Sequence, residues 1–259
     1  MSPLHAHIAG IGFWSDGLPD WTGATVYATT GALPEAAAAR PAPQLLAPNE
    51  RRRAPPSVLV ALEVALAACR EAGIEPAQLP SVFASTHGDI GITDYMCTTL
   101  AQAPRELSPT RFHNSVHNAA AGYWTIGAGC TRTATAISAH RGSFAQGLVE
   151  ALAQLACDAE AVLLVGYDTA STGLLGTVTH SRGLLGGALV LTRAGHGPRL
   201  AARLEDGEAL PGTGPLALHA GGNAMAPMLP LFDALATGAP AVALHAGPGR
   251  RLCVDLGHG

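Results

Sequence analysis

The chain has 259 residues, of which 48% are hydrophobic and only 13% charged, with a formal net charge of −4. This is ample for a real core in one large domain or two small ones, and the slightly acidic balance argues against nucleic acid as a partner. Five cysteines, at 69, 97, 130, 157 and 253, show no CxxC spacing and an odd total. That pattern fits reduced packing thiols rather than a disulfide frame or a zinc site. The start, Met1-Ser2-Pro3-Leu4-His5-Ala6-His7, lacks the basic and apolar regions of a signal peptide, and no run approaches the roughly 18 apolar residues of a membrane span. A cytoplasmic location is therefore expected.

In chain order, residues 6–13 predict a first buried strand ending in glycines. Residues 41–56 read as a proline- and arginine-rich linker, after which Ser57 is placed to cap a helix from Val58 to Ala72, closed by Gly73. Alanine and leucine occupy almost every face of that helix, so it is expected to be buried. A short strand over 82–86, a turn at 88–91 and a helix near 93–101 follow. Another helix is expected at about 116–127, with Ser115 as its cap. Residues 133–138, 142–156 and 161–167 form a strand–helix–strand unit with near-continuous apolar strands. A further strand covers 186–192. Past Arg193 the composition turns to a glycine, proline and histidine loop, then a helix at about 223–236 and strands at 241–245 and 252–256 around the turn 246–249. No internal repeat of 20–50 residues is visible.

The most informative junction is the tight turn between strand 133–138 and helix 142–156. A residue on such an elbow sits against exposed helix N-terminal N–H groups, where a thiolate gains most from the dipole. The chain has His140 there, and a positive helix end disfavours imidazolium. Other chemistries are poorly served. Gly10-Ile11-Gly12 lacks the third glycine and the downstream acid of a dinucleotide fingerprint. There is no Gly-x-Ser-x-Gly elbow and no Gly-Lys-Ser/Thr loop. His113 and His117 lie four apart, but Asn114 stands where HExxH needs its glutamate. Cys130 precedes the elbow strand and reads as a structural thiol. Arg51–Arg53 reads as a solvated charge run.

The order of these pieces resembles a β-ketoacyl synthase of the thiolase fold. Ile8-Ala9-Gly10-Ile11-Gly12 resembles that family's opening strand, and Pro48-Asn49-Glu50-Arg51-Arg52 the segment leading into its first long helix. The stretch Phe112–Gly122 resembles the one before the nucleophile strand, and Ser181–Leu191 the glycine-rich strand that closes the N-terminal half. Counting back without gaps from Ala161–Gly166, the family's active cysteine falls on His140. Leu218-His219-Ala220-Gly221-Gly222-Asn223-Ala224 resembles a decayed Gly-His-Thr motif, which makes His219 a relic of one of the family's two catalytic histidines. The other has no counterpart, since only a short loop, about 204–215, stands where a large piece of domain is expected.

The resemblance implies a single layered α/β/α thiolase-like domain over 1–259, with 1–200 like the N-terminal half of a ketosynthase and 201–259 a vestigial C-terminal half. It implies no cofactor and no metal. The leading expectation is a non-catalytic subunit of chain-length-factor type, paired with an active ketosynthase in aryl polyene or related pigment pathways and meeting an acyl carrier protein transiently. The rivals are a thioester-processing enzyme, a malonyl decarboxylase or acyl hydrolase using His140 or His219, and a structural homodimeric scaffold. The family pairs the strand before the elbow with its equivalent in a second subunit. Here that strand alternates Thr133, Thr135 and Ile137 with Ala134, Ala136 and Ser138, a flat edge with no protecting charge or proline. Phe112, Tyr123 and Trp124 are expected at the same interface, in a heterodimer or, without that partner, a homodimer.

Overall fold

The computed structural model describes residues 2–257. The elements run β1 (Leu4–Ser15), α1 (Trp21–Thr30), α2 (Pro48–Arg53), α3 (Pro56–Ala72), β2 (Ser81–Ala84), α4 (Ile90–Gln102), α5 (Pro109–His113) and α6 (Ala119–Gly127). They continue with β3 (Ala134–Ile137), α7 (Ser143–Cys157), β4 (Ala161–Asp168), β5 (Leu185–Thr192), β6 (Arg199–Asp206), α8 (Pro215–Ala220), α9 (Leu229–Thr237), β7 (Ala241–Gly247) and β8 (Arg250–Gly257). The eight strands form one sheet in the order β3-β2-β4-β5-β1-β6-β8-β7. β3 and β4 both pair parallel with β2, and every other pairing is antiparallel.

The sheet coils. Neighbouring residues of α7 reach opposite ends of it: a Cβ on Gly147 would lie 3.1 Å from Ala84 in β2 and 3.0 Å from Leu164 in β4, while the Gln146 amide donates to the Ala246 carbonyl in β7 at 2.7 Å. β2 and β7 stand six strand positions apart, about 29 Å in a flat sheet at ~4.8 Å per strand. A helix is only about 10–12 Å across, so both ends must wrap round it. Phe144, Leu148, Leu152 and Leu155 are buried at helical spacing inside that wrap, with α9 closing the side.

On the other face α3 crosses β1, β5 and β4. Its approach to β1 is so close that a Cβ at Gly10 or Gly12 would lie 2.2 Å from the Ala68 carbonyl oxygen or 1.9 Å from that of Val64. Beside this crossing β1 bulges between Ile8 and Gly10, and the Ile11 amide donates to the Glu71 carboxylate at 2.5 Å. This helical layer covers the first five strands only. Over β6 and β8 the same face carries Arg203, Glu205, Arg251 and Asp255 in cross-strand ion pairs. Hydrogen bonds from the Cys253 thiol, Arg203 and Arg251 hold the Glu205 carboxyl down at about 2.

Several expected boundaries move. α3 starts at Pro56, whose missing N–H suits a first turn, so Ser57 lies inside the helix and its hydroxyl donates to Asp89 instead of capping. Asp89 itself caps α4, accepting from Ile92. The helix expected at 116 begins at Ala119, because Ser115 turns its hydroxyl back to the Phe112 carbonyl. The helix expected from Asn223 begins at Leu229, after a tighter turn at 226–228. α1, α2, α8 and β6 fall in stretches read as loop or linker, so the loop expected at 204–215 starts within β6 and the connection to α8 shrinks to 207–214.

Gly12→Ala should cost about 1–3 kcal/mol or more by forcing α3 off β1, lowering the melting temperature by roughly 2–4 °C per kcal/mol for a chain this size. A thermal melt checks this; an unchanged midpoint would contradict the crossing.

Candidate functional site

The parallel strands β2, β3 and β4 end on one side of the sheet, the side where ligands of α/β sheets gather. Ser85-Thr86-His87 follow β2, His140 follows β3 and Asp168 ends β4. Asp168 is buried and ties the first of these segments down: it accepts from the Ser85 hydroxyl at 2.7 Å, the Thr86 amide at 2.9 Å and the His87 amide at 3.2 Å. Burial pushes its carboxyl above the usual range, and these donors pull it back. The Ser85 hydroxyl also accepts from Gly88 at 2.8 Å, and the Ser85 carbonyl meets His117 Nε2 at 2.9 Å. Burial also holds His87 below the ordinary histidine range; Asp168 opposes that, and His140 and His117 add to it. His87 thus stands between the buried Asp168 carboxylate and two further imidazoles, His117 and His140.

The elbow is built as a nucleophile turn is built. His140 is the one non-glycine residue with positive φ among the described residues, at +52°, a conformation that costs energy and collects at functional turns. It is exposed. Ser143, the first residue of α7, stitches the turn by accepting from the Ala139 amide at 2.9 Å and donating to the His140 carbonyl at 2.7 Å. A Cβ at Gly142 would press on the Ala246 backbone at 3.0 Å, so the enclosure of α7 leaves no side chain room there. The elbow opens into a cleft of about 670 Å³ between the loops 178–182 and 209–212, floored by 221–224 and by β7.

The sequence-derived residues distribute unevenly. His219 does not line this cleft: its Nε2 meets the Asp16 carbonyl at 2.8 Å, its ring packs on Tyr27 at 5.1 Å, and it lines an adjoining hollow of about 330 Å³ that shares Arg182, Gly222 and Asn223 with the cleft. Thr135 and Ile137 are half-buried and Ala134 and Ala136 exposed on β3, which forms one end of the sheet; Thr133 precedes it, exposed. Phe112 is 59% exposed and Tyr123 half-buried. Trp124 corrects the expectation of an interface side chain: it is wholly buried against Phe83 in this chain's own core. His113 packs on Tyr123 while His117 faces Ser85, so the pair does not converge. Among the described residues no three His, Cys, Asp or Glu side chains are grouped to hold a metal ion, and no helix is long and apolar enough to cross a membrane. Sequence reasoning missed His87 and Asp168. Their one signal was position, polar residues at the carboxyl ends of two adjoining apolar strands.

One mixed sheet with α7 packed on one face and α3 on the other is the layered α/β architecture of the thiolase-like ketosynthase fold. The family model for the beta-ketoacyl synthase N-terminal domain matches residues 27–246, and the chain belongs to that family. No curated protein sequence matches the chain. Among solved structures, a chain of the ketosynthase ApeO in complex with its chain length factor ApeC from Xenorhabdus doucetiae aligns over 97% of this chain and 99% of its own, with TM-score 0.76 and 22% identity. A chain of the ishigamide ketosynthase/chain length factor aligns over 99% of both, with TM-score 0.72 and 15% identity. A chain of AntDE:AntF, a type II polyketide synthase carrier protein in complex with its ketosynthase, aligns over the whole of both at TM-score 0.76 and 11% identity. These likenesses are of fold.

Asp168→Ala should leave three donors without their acceptor and cost at least ~2 kcal/mol at neutral pH, read as a lower urea midpoint. His87 supplies a pH test. With its folded pKa below the unfolded value of about 6.5, unfolding takes up a proton, so its contribution to stability is present above that value and lost as pH falls through the folded pKa. The parent's midpoint should therefore drop more between about pH 7 and pH 5 than that of His87→Gln; parallel profiles would refute the depressed pKa.

Proposed function

We propose that the chain is a ketosynthase-like subunit of chain-length-factor type with no condensing activity of its own. It pairs with an active β-ketoacyl-[acyl carrier protein] synthase and helps wall the pocket in which an aryl polyene-type acyl chain grows. The observation that carries this reading is the elbow: a left-handed turn on the start of a 15-residue buried helix, occupied by His140 instead of a thiol. No cysteine substitutes for it. Cys69 is buried with its thiol pushed up to about 12 by burial, and Cys130 is buried and donates to the Leu79 carbonyl. Cys157 ends α7, about 20 Å from the elbow at ~1.5 Å per residue. Cys97 lies on α4, and Cys253 has its thiol raised by desolvation beside Glu205.

The second support is β3, whose outer edge pairs with nothing among the described residues. Free edges of small uncharged residues are templates for another strand, and Phe112 and Tyr123 lie near enough in the chain to widen such a contact. The solved complexes named above supply the type of partner: a ketosynthase in all three, with a carrier protein as well in one. In this reading residues 1–200 serve as the ketosynthase N-terminal half and 201–259 as a reduced C-terminal half, in one cytoplasmic domain. His219 is a relic without a role in catalysis, and the pair meets its carrier protein transiently.

Two measurements test it. Incubated with an acyl thioester, the isolated chain should show no stoichiometric adduct by intact mass spectrometry, and with a malonyl carrier protein it should release neither acetyl carrier protein nor free acid; either product would establish the thioester-processing enzyme instead. Co-expressed with a candidate partner ketosynthase from the same source it should purify as a heterodimer, and Ala136→Lys should break that dimer while the chain's own melting temperature stays within a few degrees. A homodimer indifferent to the ketosynthase would favour the scaffold.

A further inference from the structure

The cleft at the elbow has a charge pattern that the subunit reading does not use. Its lining includes His87, His140, His180, His245, Arg141 and Arg182, and no aspartate or glutamate. They come from four places: the turn after β2, the elbow, the loop between β4 and β5, and β7. The start of α7 adds the positive end of a long helix. The carboxylates nearby are turned to other work. Asp168 is spent on Ser85, Thr86 and His87 behind the wall. Glu208 faces His245 Nδ1 at 3.8 Å from outside the lining, accepting also from the Gly249 amide. A chain with 15 basic and 19 acidic residues has gathered two arginines and four histidines in one hollow of about 670 Å³.

The rim of the same cleft is apolar and open. Val178 and Leu210, from the two loops that flank the mouth, are 78% and 85% exposed, among the most exposed large hydrophobic side chains described. Isolated exposed side chains need no explanation, but two facing one cationic hollow form a patch with a direction. The hollow is far larger than a bare oxyanion, so a ligand that used both features would carry an anionic head and an apolar body.

We propose that this cleft is a reversible binding site for an amphiphilic oxyanion, a carboxylate or phosphate head on an alkyl chain, with the head held by Arg141, Arg182 and the histidines and the tail laid against Val178 and Leu210. No covalent step is involved. Because an anion favours imidazolium, binding tightens as His87 takes up its proton. Burial and the neighbouring His140 and His117 oppose that charge, and Asp168 is the acid that competes with the ligand for it. The site stands whether or not the chain pairs with a ketosynthase.

The test is titration calorimetry on the full chain with octanoate and octyl phosphate as probes and octanol as the uncharged control. Saturable binding of one or both anions is expected, with octanoate against octyl phosphate deciding which head is preferred, at an affinity roughly tenfold above octanol's and higher at about pH 5.5 than at about pH 8. Arg141→Glu with Arg182→Glu, both exposed positions, should weaken binding by roughly tenfold or more, and Leu210→Ser should weaken it with the pH dependence retained. Failure of both anions to bind at millimolar concentration would overturn the proposal. So would equal binding of octanol, or the charge-reversed variant binding like the parent.

Discussion

Everything distinctive in this molecule depends on the enclosure of α7 by the two ends of one sheet. A helix gripped on one side by β2 and β4 and on the other by β7 has no freedom to slide, so its first turn is placed and the chain entering it must bend sharply. That bend is His140, and its strain is offset by the packing beneath it: burying Phe144, Leu148 and Leu152 is worth about 1.5–3 kcal/mol each, against a cost of order 1–3 kcal/mol for a left-handed residue. The same grip brings β7 to the elbow, so the second part of the chain forms a wall of the cleft.

Buried polar groups fasten the two parts together where hydrophobic contact alone would leave the register loose. Asn223 donates to the carbonyls of Asp168, Arg182 and Gly183 and accepts from Met225, which ties the segment after α8 to the loop closing β4 and β5. Asp233 on α9 accepts from the Leu216 and Ala217 amides at 2.8 and 3.1 Å and seats α8; desolvation raises its carboxyl pKa, and those two amides partly offset the rise. By contrast, the ion pairs on the outer face of β6 and β8 are exposed and contribute little stability. They make the uncovered sheet face compatible with water where the α3 layer stops.

The sequence was most legible where burial dictates pattern. The apolar runs of β4 and β5, the all-round apolar α3 and the helical repeat of α7 were all visible, because each is covered on the faces that the pattern showed. α1 was hidden because it has almost no apolar stripe, only Ala24 and Ala28 buried, and α2 because its arginines look like a linker. β6 was hidden by its charged outward face, Arg203 and Glu205, which interrupts the expected apolar run. At the site, the elbow could be read from the strand-to-helix junction, since a local signal fixes it. Asp168 and its partners Ser85–His87 are more than eighty residues apart and meet only through parallel pairing of β2 and β4. Trp124 was misassigned for a related reason, since an aromatic residue of a core and one of an interface look alike until the helix orientation is known.

The claim with most at stake is that β3 is left open by the fold so that another chain can complete it. Hydrogen–deuterium exchange on a mixture with a ketosynthase that binds the chain measures this directly, because backbone amides in a new strand pair become protected. The amides of Ala134–Ile137 that face away from β2 should exchange rapidly in the chain alone and slow by roughly a hundredfold or more in the complex, a protection of about 2.7 kcal/mol at equilibrium. If the complex forms and these amides exchange as they do in the free chain, the partner docks elsewhere and the paired-edge account is wrong.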